Sequence, residues 1–194
     1  MSITKLGQTL LLRSLAQSIV IAVVWMALLD GTASAAEKIT GRATFSMTHL
    51  VTIPVGVSSA EHTLLHTMDQ ASQFNLSSDL FADCSIERTT TCDMVHGRGT
   101  CFGYQTLISS DGDRLVTKYS GIIQPDTGVD KKPPDLIVHG TWVVINGSGK
   151  FANVHGGGTY RGRYTSAQQY ALEWSGEIEQ RPRANATAPP SRER

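Results

Sequence analysis

The chain has 194 residues with 17 basic and 17 acidic side chains, a formal charge of zero at pH 7. That balance is no electrostatic footprint for nucleic acid, and the length fits one domain with tails. Hydrophobic residues make up 40% and aromatic residues 7% of the chain.

The first stretch reads as an export signal spanning 1–35. Lys5 and Arg13 supply a basic start, Ile19 to Leu29 is apolar throughout, and Ala33-Ser34-Ala35 offers small residues for a signal peptidase. The apolar run is much shorter than the about 20 residues of a membrane-spanning helix. Cleavage near Ala35 or Ala36 removes Lys5, Arg13 and Asp30 and leaves 15 basic and 16 acidic residues. The first cysteine is Cys84, so no lipid-anchoring cysteine follows the cut. The expected mature protein is periplasmic or secreted, with no stable membrane insertion once the signal is cleaved.

Export also bears on the cysteines. In an oxidising compartment Cys84, Cys92 and Cys101 are disulfide candidates with one thiol left over, and their gaps do not match the close pairs of zinc sites. Cys92 is the expected member, bridged to Cys84 or to Cys101.

Residues 38–51 alternate, with Ile39, Gly41, Ala43, Phe45, Met47, His49 and Val51 on one face and Thr40, Arg42, Thr44, Ser46 and Thr48 on the other. This is the period of a half-buried strand, broken by Pro54 and Gly56. Residues 62–69 form a second strand with His62, Leu64, His66 and Met68 on one face. Two histidines at a sheet rim are weak metal candidates, and no metal site or cofactor motif is assigned. Residues 70–97 are polar and read as a long loop or irregular edge strand pinned by the disulfide.

A hairpin follows around Asp111-Gly112, a strong two-residue turn signal. That turn pairs Tyr104 with Tyr119 and Phe102 with Gly121 on an inward face. Residues 124–135 carry Pro125, Gly128, Pro133 and Pro134 and form a loop. Leu136 to Ile145 is apolar on both faces, and Asn146-Gly147-Ser148-Gly149 turns the chain. In the last hairpin, centred on Ala167, Tyr160 faces Trp174 and Tyr164 faces Tyr170 inside, while Arg161 faces Glu173 outside. A one-residue slip destroys that coincidence. Gly156, Gly158 and Gly162 share the inward face, where a missing side chain leaves room for bulky partners. Residues 181–194, rich in Pro, Ala and charge, read as a disordered tail after a barrel domain at 36–180.

Gly147-Ser148-Gly149-Lys150-Phe151-Ala152 followed by Gly156-x-Gly158-x-Tyr160 resembles the G-T-G-x-F-A…G-x-G-x-Y hairpin of small exported barrels related to allene oxide cyclases and dirigent proteins. Ser148 stands where threonine is commoner, and no catalytic residue of those families can be matched. Gly140-Thr141-Trp142 is also similar to the G-x-W of lipocalins and avidins, where it lies on the first strand instead. The expected fold is therefore all-β: a single antiparallel barrel of about eight strands, allene-oxide-cyclase-like or calycin-like, behind the signal peptide.

In these registers Phe45, Met47, Tyr104, Tyr119, Trp142, Tyr160 and Trp174 project inward and are the candidate ligand-binding residues. The function they point to is non-catalytic binding of a small apolar or aromatic molecule. The resemblance implies one alternative, a cofactor-free cyclase or isomerase, which would want an acid or base in a dry cavity. Only His49, His62, His66 and the phenols are inward candidates for that role. The other alternative is a structural or interaction protein with a filled core.

Overall fold

The computed structural model describes residues 35–56, 61–126 and 136–181. Its strands are β1 (Glu37–Pro54), β2 (His62–Leu76), β3 (Ser85–Val95), β4 (Arg98–Ile108), β5 (Arg114–Pro125), β6 (Leu136–Gly147), β7 (Val154–Tyr164) and β8 (Gln169–Gln180). Each pairs antiparallel with the next, and β8 returns to β1 to close an eight-stranded barrel. The expected signal peptide and tail fall almost entirely outside the described residues, and so do residues 127–135 of the expected loop, whose Gln124 and Pro125 belong to β5.

Inward side chains alternate with outward ones along each strand, as closure demands. Ile39, Ala43 and Phe45 of β1 and Tyr170, Leu172, Trp174 and Ile178 of β8 are buried. Phe45 stacks on Tyr170 with ring centroids 5.1 Å apart and meets Trp174 edge-on at 6.0 Å. Two short 3₁₀ turns, Asp79–Phe81 and Gly149–Phe151, close the end where β1 begins and β8 stops. Their aromatic rings, Phe81 and Phe151, stack there at 6.1 Å.

The last hairpin has the expected register: Tyr160 opposite Trp174, Gly162 opposite Leu172, Arg161 opposite Glu173. Glu173 holds Arg42 on one side and Arg161 on the other, all on the outer surface.

The β4–β5 hairpin differs from expectation by one residue. Leu107 faces Leu115, Gln105 faces Thr117, and Gly103 faces Tyr119, while Tyr104 faces Lys118 on the outer surface. The reason lies in the turn. Ser109 and Asp113 still pair, with Ser109 N donating to Asp113 O at 2.9 Å, and Gly112 N donates to Ser109 O. A three-residue loop with Gly112 in the left-handed region at φ 85° results, in place of a two-residue turn. The slip turns Phe102 and Tyr104 outward, 53% and 47% exposed. The two-residue turn with both φ values positive occurs instead at His96-Gly97, between β3 and β4.

Residues 70–97 are not a long loop. They hold the end of β2, the Asp79–Phe81 turn and all of β3. On β3, Ile86, Arg88, Cys92 and Met94 are buried and Ser85, Glu87, Asp93 and Val95 are exposed. Cys92 lies opposite Cys101 with Cα atoms 4.1 Å apart, and the two form the disulfide. Cys84 is the remaining thiol and is buried. The disulfide packs with Met94 and Ile123 toward the end of the barrel opposite Phe81.

The β1 alternation holds as far as Met47, where the register shifts against β2. His49 and Val51 are exposed beyond it, not inward. β1 pairs with β8 only from Glu37 to Ser46, so its last turn of strand leans on β2 alone.

Candidate functional site

The lumen is built from alternation carried through polar residues. On β3 the inward positions bring in Arg88, and on β2 they bring in Asp69, directly opposite it in the ladder. Arg88 is 7% exposed and Asp69 2% exposed. The guanidinium lies 3.8 Å from the centre of the Tyr119 ring, and within 5.6 to 5.7 Å of the centres of Phe45, Tyr160 and Tyr170. Burial works against its charge, but the surrounding phenols more than offset that, so Arg88 stays protonated.

Tyr119 fits because Gly103 faces it: a Cβ at Gly103 would meet the Tyr119 hydroxyl and the Thr89 carbonyl. That hydroxyl donates to Thr89 O at 2.7 Å and lies 2.6 Å from Thr90 Oγ1. Tyr160 occupies the equivalent space over Gly121 and Gly140. The rings therefore sit over Gly103, Gly121 and Gly140, whereas the expected glycines Gly156, Gly158 and Gly162 lie against β8 backbone and, at Gly156 and Gly162, the side chains of Ile178 and Leu172.

Asp69 accepts from Thr67 Oγ1 at 3.0 Å and Thr90 Oγ1 at 3.4 Å, both through Oδ2. Its Oδ1 and the Tyr170 hydroxyl influence one another electrostatically but are not in hydrogen-bond geometry, and neither has a hydrogen-bond partner. Burial raises the Asp69 pKa above the usual carboxylate value, against the lowering effect of its hydrogen bonds and of Arg88. Burial also raises Tyr160 and Tyr170 and pushes Tyr164 up to about 12, which keeps all three phenols neutral.

Between Arg88 and the Phe81 cap lies a cavity of about 40 Å³. Its wall includes Ile39, Leu107 and Leu115, with Arg88, Trp142 and Trp174. Sites for drug-sized ligands run to roughly 300 to 1,000 Å³, so this interior is nearly full. Two of its donors, Arg88 Nε and Trp142 Nε1, are buried without an acceptor.

Of the residues expected to line a ligand site, Tyr119, Trp142, Tyr160 and Trp174 border this cavity. Phe45 is wholly buried behind it, under the aromatic cluster, and Met47 packs at the edge of the core. Tyr104 is on the outer surface because of the β4–β5 register. Arg88, Asp69 and Gln105 are inward residues that the sequence reading missed. For Arg88 the signal was present: Ile86-x-Arg88-x-Thr90-x-Cys92-x-Met94 alternates cleanly once Arg and Thr are allowed inside a barrel.

The histidines are not at the lumen. His62 Nε2 lies 2.5 Å from Asp93 Oδ1, and His66 Nδ1 lies 3.1 Å from Thr91 Oγ1. Among the described residues no cluster of three or more His, Cys, Asp or Glu is arranged to hold a metal ion. No helix among them is long and apolar enough to cross a membrane.

The described strands form a closed eight-stranded antiparallel barrel in which each strand pairs with its neighbour in sequence. Among solved structures the chain is similar to that of a pterocarpan synthase dirigent protein, at 12% sequence identity and a TM-score of 0.42, over 77% of this chain and 93% of that one. No protein-family model and no curated protein matches it.

Proposed function

We propose that this is an exported protein that binds a small, largely apolar molecule in the lumen between the Phe81 cap and Arg88 and does not transform it. The observation that carries the reading is the placement of Arg88. A barrel that only needed to fill its core would gain nothing from a guanidinium 7% exposed and lining an apolar cavity, because burying a charge is costly unless it is paired. The cavity holds only a few heavy atoms as it stands, so a larger guest displaces Phe81. The Cys92–Cys101 disulfide is consistent with an oxidising compartment, in keeping with export to the periplasm or beyond. A cyclase would need its acid or base at the cavity, and Asp69, the one buried carboxylate among the described residues, is not among the residues that line it.

The small cavity favours a second reading, a structural or interaction barrel with a filled core. Native mass spectrometry of the mature protein from its own host separates the two. A bound mass that is lost on unfolding, and absent from a Leu107→Trp variant that fills the cavity, supports binding. A bare protein mass in both, with no small molecule shifting the melting midpoint, supports the structural reading.

A further inference from the structure

Arg88 is a buried cation that forms no ion pair among the described residues. Asp69, its neighbour across the ladder, is hydrogen-bonded through Oδ2 to Thr67 and Thr90. The ring of Tyr119 offsets part of the desolvation from one face but offers Nε no acceptor in its plane.

Trp142 Nε1 is a second buried donor without an acceptor, and Trp142 is 8% exposed. Both residues line the same cavity, whose remaining wall is largely Ile39, Ile86, Leu107, Leu115 and Ile178. A buried donor left unpaired forfeits the hydrogen bonds it made to water, and a charged one forfeits more. One cavity therefore presents one positive charge, two unmet donors and an apolar wall.

We infer that the ligand is a small monoanionic acid, an apolar or aryl skeleton ending in one carboxylate, whose oxygens accept from Arg88 Nε and Trp142 Nε1. This rests on the lumen being a ligand site and adds its charge class. A neutral alcohol on the same skeleton meets the donors but leaves the guanidinium uncompensated. A doubly charged group brings more negative charge than a single buried cation balances. The carboxylate is held at the depth of Arg88, and the skeleton lies toward Trp174 and the Phe81 cap.

The test is calorimetric titration of the mature protein with benzoate and with benzyl alcohol, which have nearly the same shape, followed in parallel by tryptophan fluorescence. Benzoate should bind about tenfold more tightly or better, the margin of a charge-assisted hydrogen bond. Trp142→Phe keeps the bulk and removes Nε1, and should weaken benzoate about fivefold or more. Arg88→Met should abolish the preference for the acid, and if it does not fold, the wild-type comparison and Trp142→Phe still decide. Equal affinities for the two probes overturn the acid inference and leave lumen binding standing. Binding of neither probe at millimolar concentration also overturns the acid inference. If, in addition, Leu107→Trp leaves the co-purifying mass unchanged, the lumen reading falls with it.

Discussion

Asp69 and Arg88 face each other across the β2–β3 ladder inside the barrel, yet each is held by different groups. The carboxylate accepts from Thr67 and Thr90, and the guanidinium stacks on Tyr119. Opposite charges buried side by side without an ion pair leave both desolvated, and that has a consequence for pH dependence. The folded pKa of Asp69 is raised above the ordinary value of 3.8. The folded protein therefore binds more protons than the unfolded chain between that value and the raised one. The contribution of Asp69 to stability is fully present below the ordinary value and is lost as pH rises through the raised pKa. Asp69→Asn should flatten this part of the profile and leave stability at neutral pH unchanged or higher. Chemical denaturation of both proteins from pH 3 to 8 checks it, and a profile unchanged by the substitution would refute it.

Tyr119 and Tyr104 carry the same side chain to opposite sides of the wall. Tyr119→Phe removes the hydroxyl bound to Thr89 O and beside Thr90 and should cost about 1 to 2 kcal/mol. Tyr104→Ser, on the outer surface at 47% exposure, should change stability by less than about 0.5 kcal/mol. Thermal melts of the two variants distinguish this arrangement from one in which Tyr104 faces inward, which would reverse the order.

Trp174 is 8% exposed and meets Phe45 edge-on, so Trp174→Ala should destabilise by about 3 to 5 kcal/mol. Its neighbour Glu173 joins Arg42 and Arg161 on the surface, and Glu173→Gln should leave the melting midpoint nearly unmoved. A Trp174 variant that melts with the wild type would contradict the packing of the whole β8 wall.

The Cys92–Cys101 bridge joins strands already linked by a tight turn, with a separation of nine residues. Replacing both by Ala should cost about 2 to 3 kcal/mol on the loop-closure estimate. Alkylation of the denatured, unreduced protein should label Cys84 alone. Labelling of Cys92 or Cys101 under those conditions would rule the bridge out.

What could be read from the sequence depended on whether two patterns agreed. In the last hairpin the aromatic pairs and the Arg161–Glu173 pair demand one register, and that register is observed. In the β4–β5 hairpin both faces carry apolar residues: Phe102, Tyr104 and Ile108 alternate with Cys101, Leu107 and the small Gly103. Aromatic bulk pointed to the wrong face, and only the bond between Ser109 N and Asp113 O decides it. β3 was illegible for a different reason. Arg88 and Thr90 occupy inward positions, so the hydrophobic alternation that marks a strand is interrupted at the residues that define the candidate site. The Asp69 position on β2 was hidden in the same way. Outward glutamates on β8 were read correctly, whereas on β2 the face of Leu64 and Met68 drew attention away from the opposite face, where Thr67 and Asp69 are buried.

The pairing of β1 with β8 brings Glu37 to Ile178, nearly the whole length of the described chain. The seven other ladders all join strands adjacent in sequence and form as local hairpins, but this seam cannot close until the last strand exists. Contacts so distant in sequence carry a large loop-closure entropy and slow the search for the native state. Until the seam closes, the aromatic wall of Phe45, Tyr170 and Trp174 is split between two open edges, one at each end of the polypeptide. Closure of this barrel therefore waits for β8, and a chain stopped short of Gln169 has every hairpin but one and no β1–β8 seam.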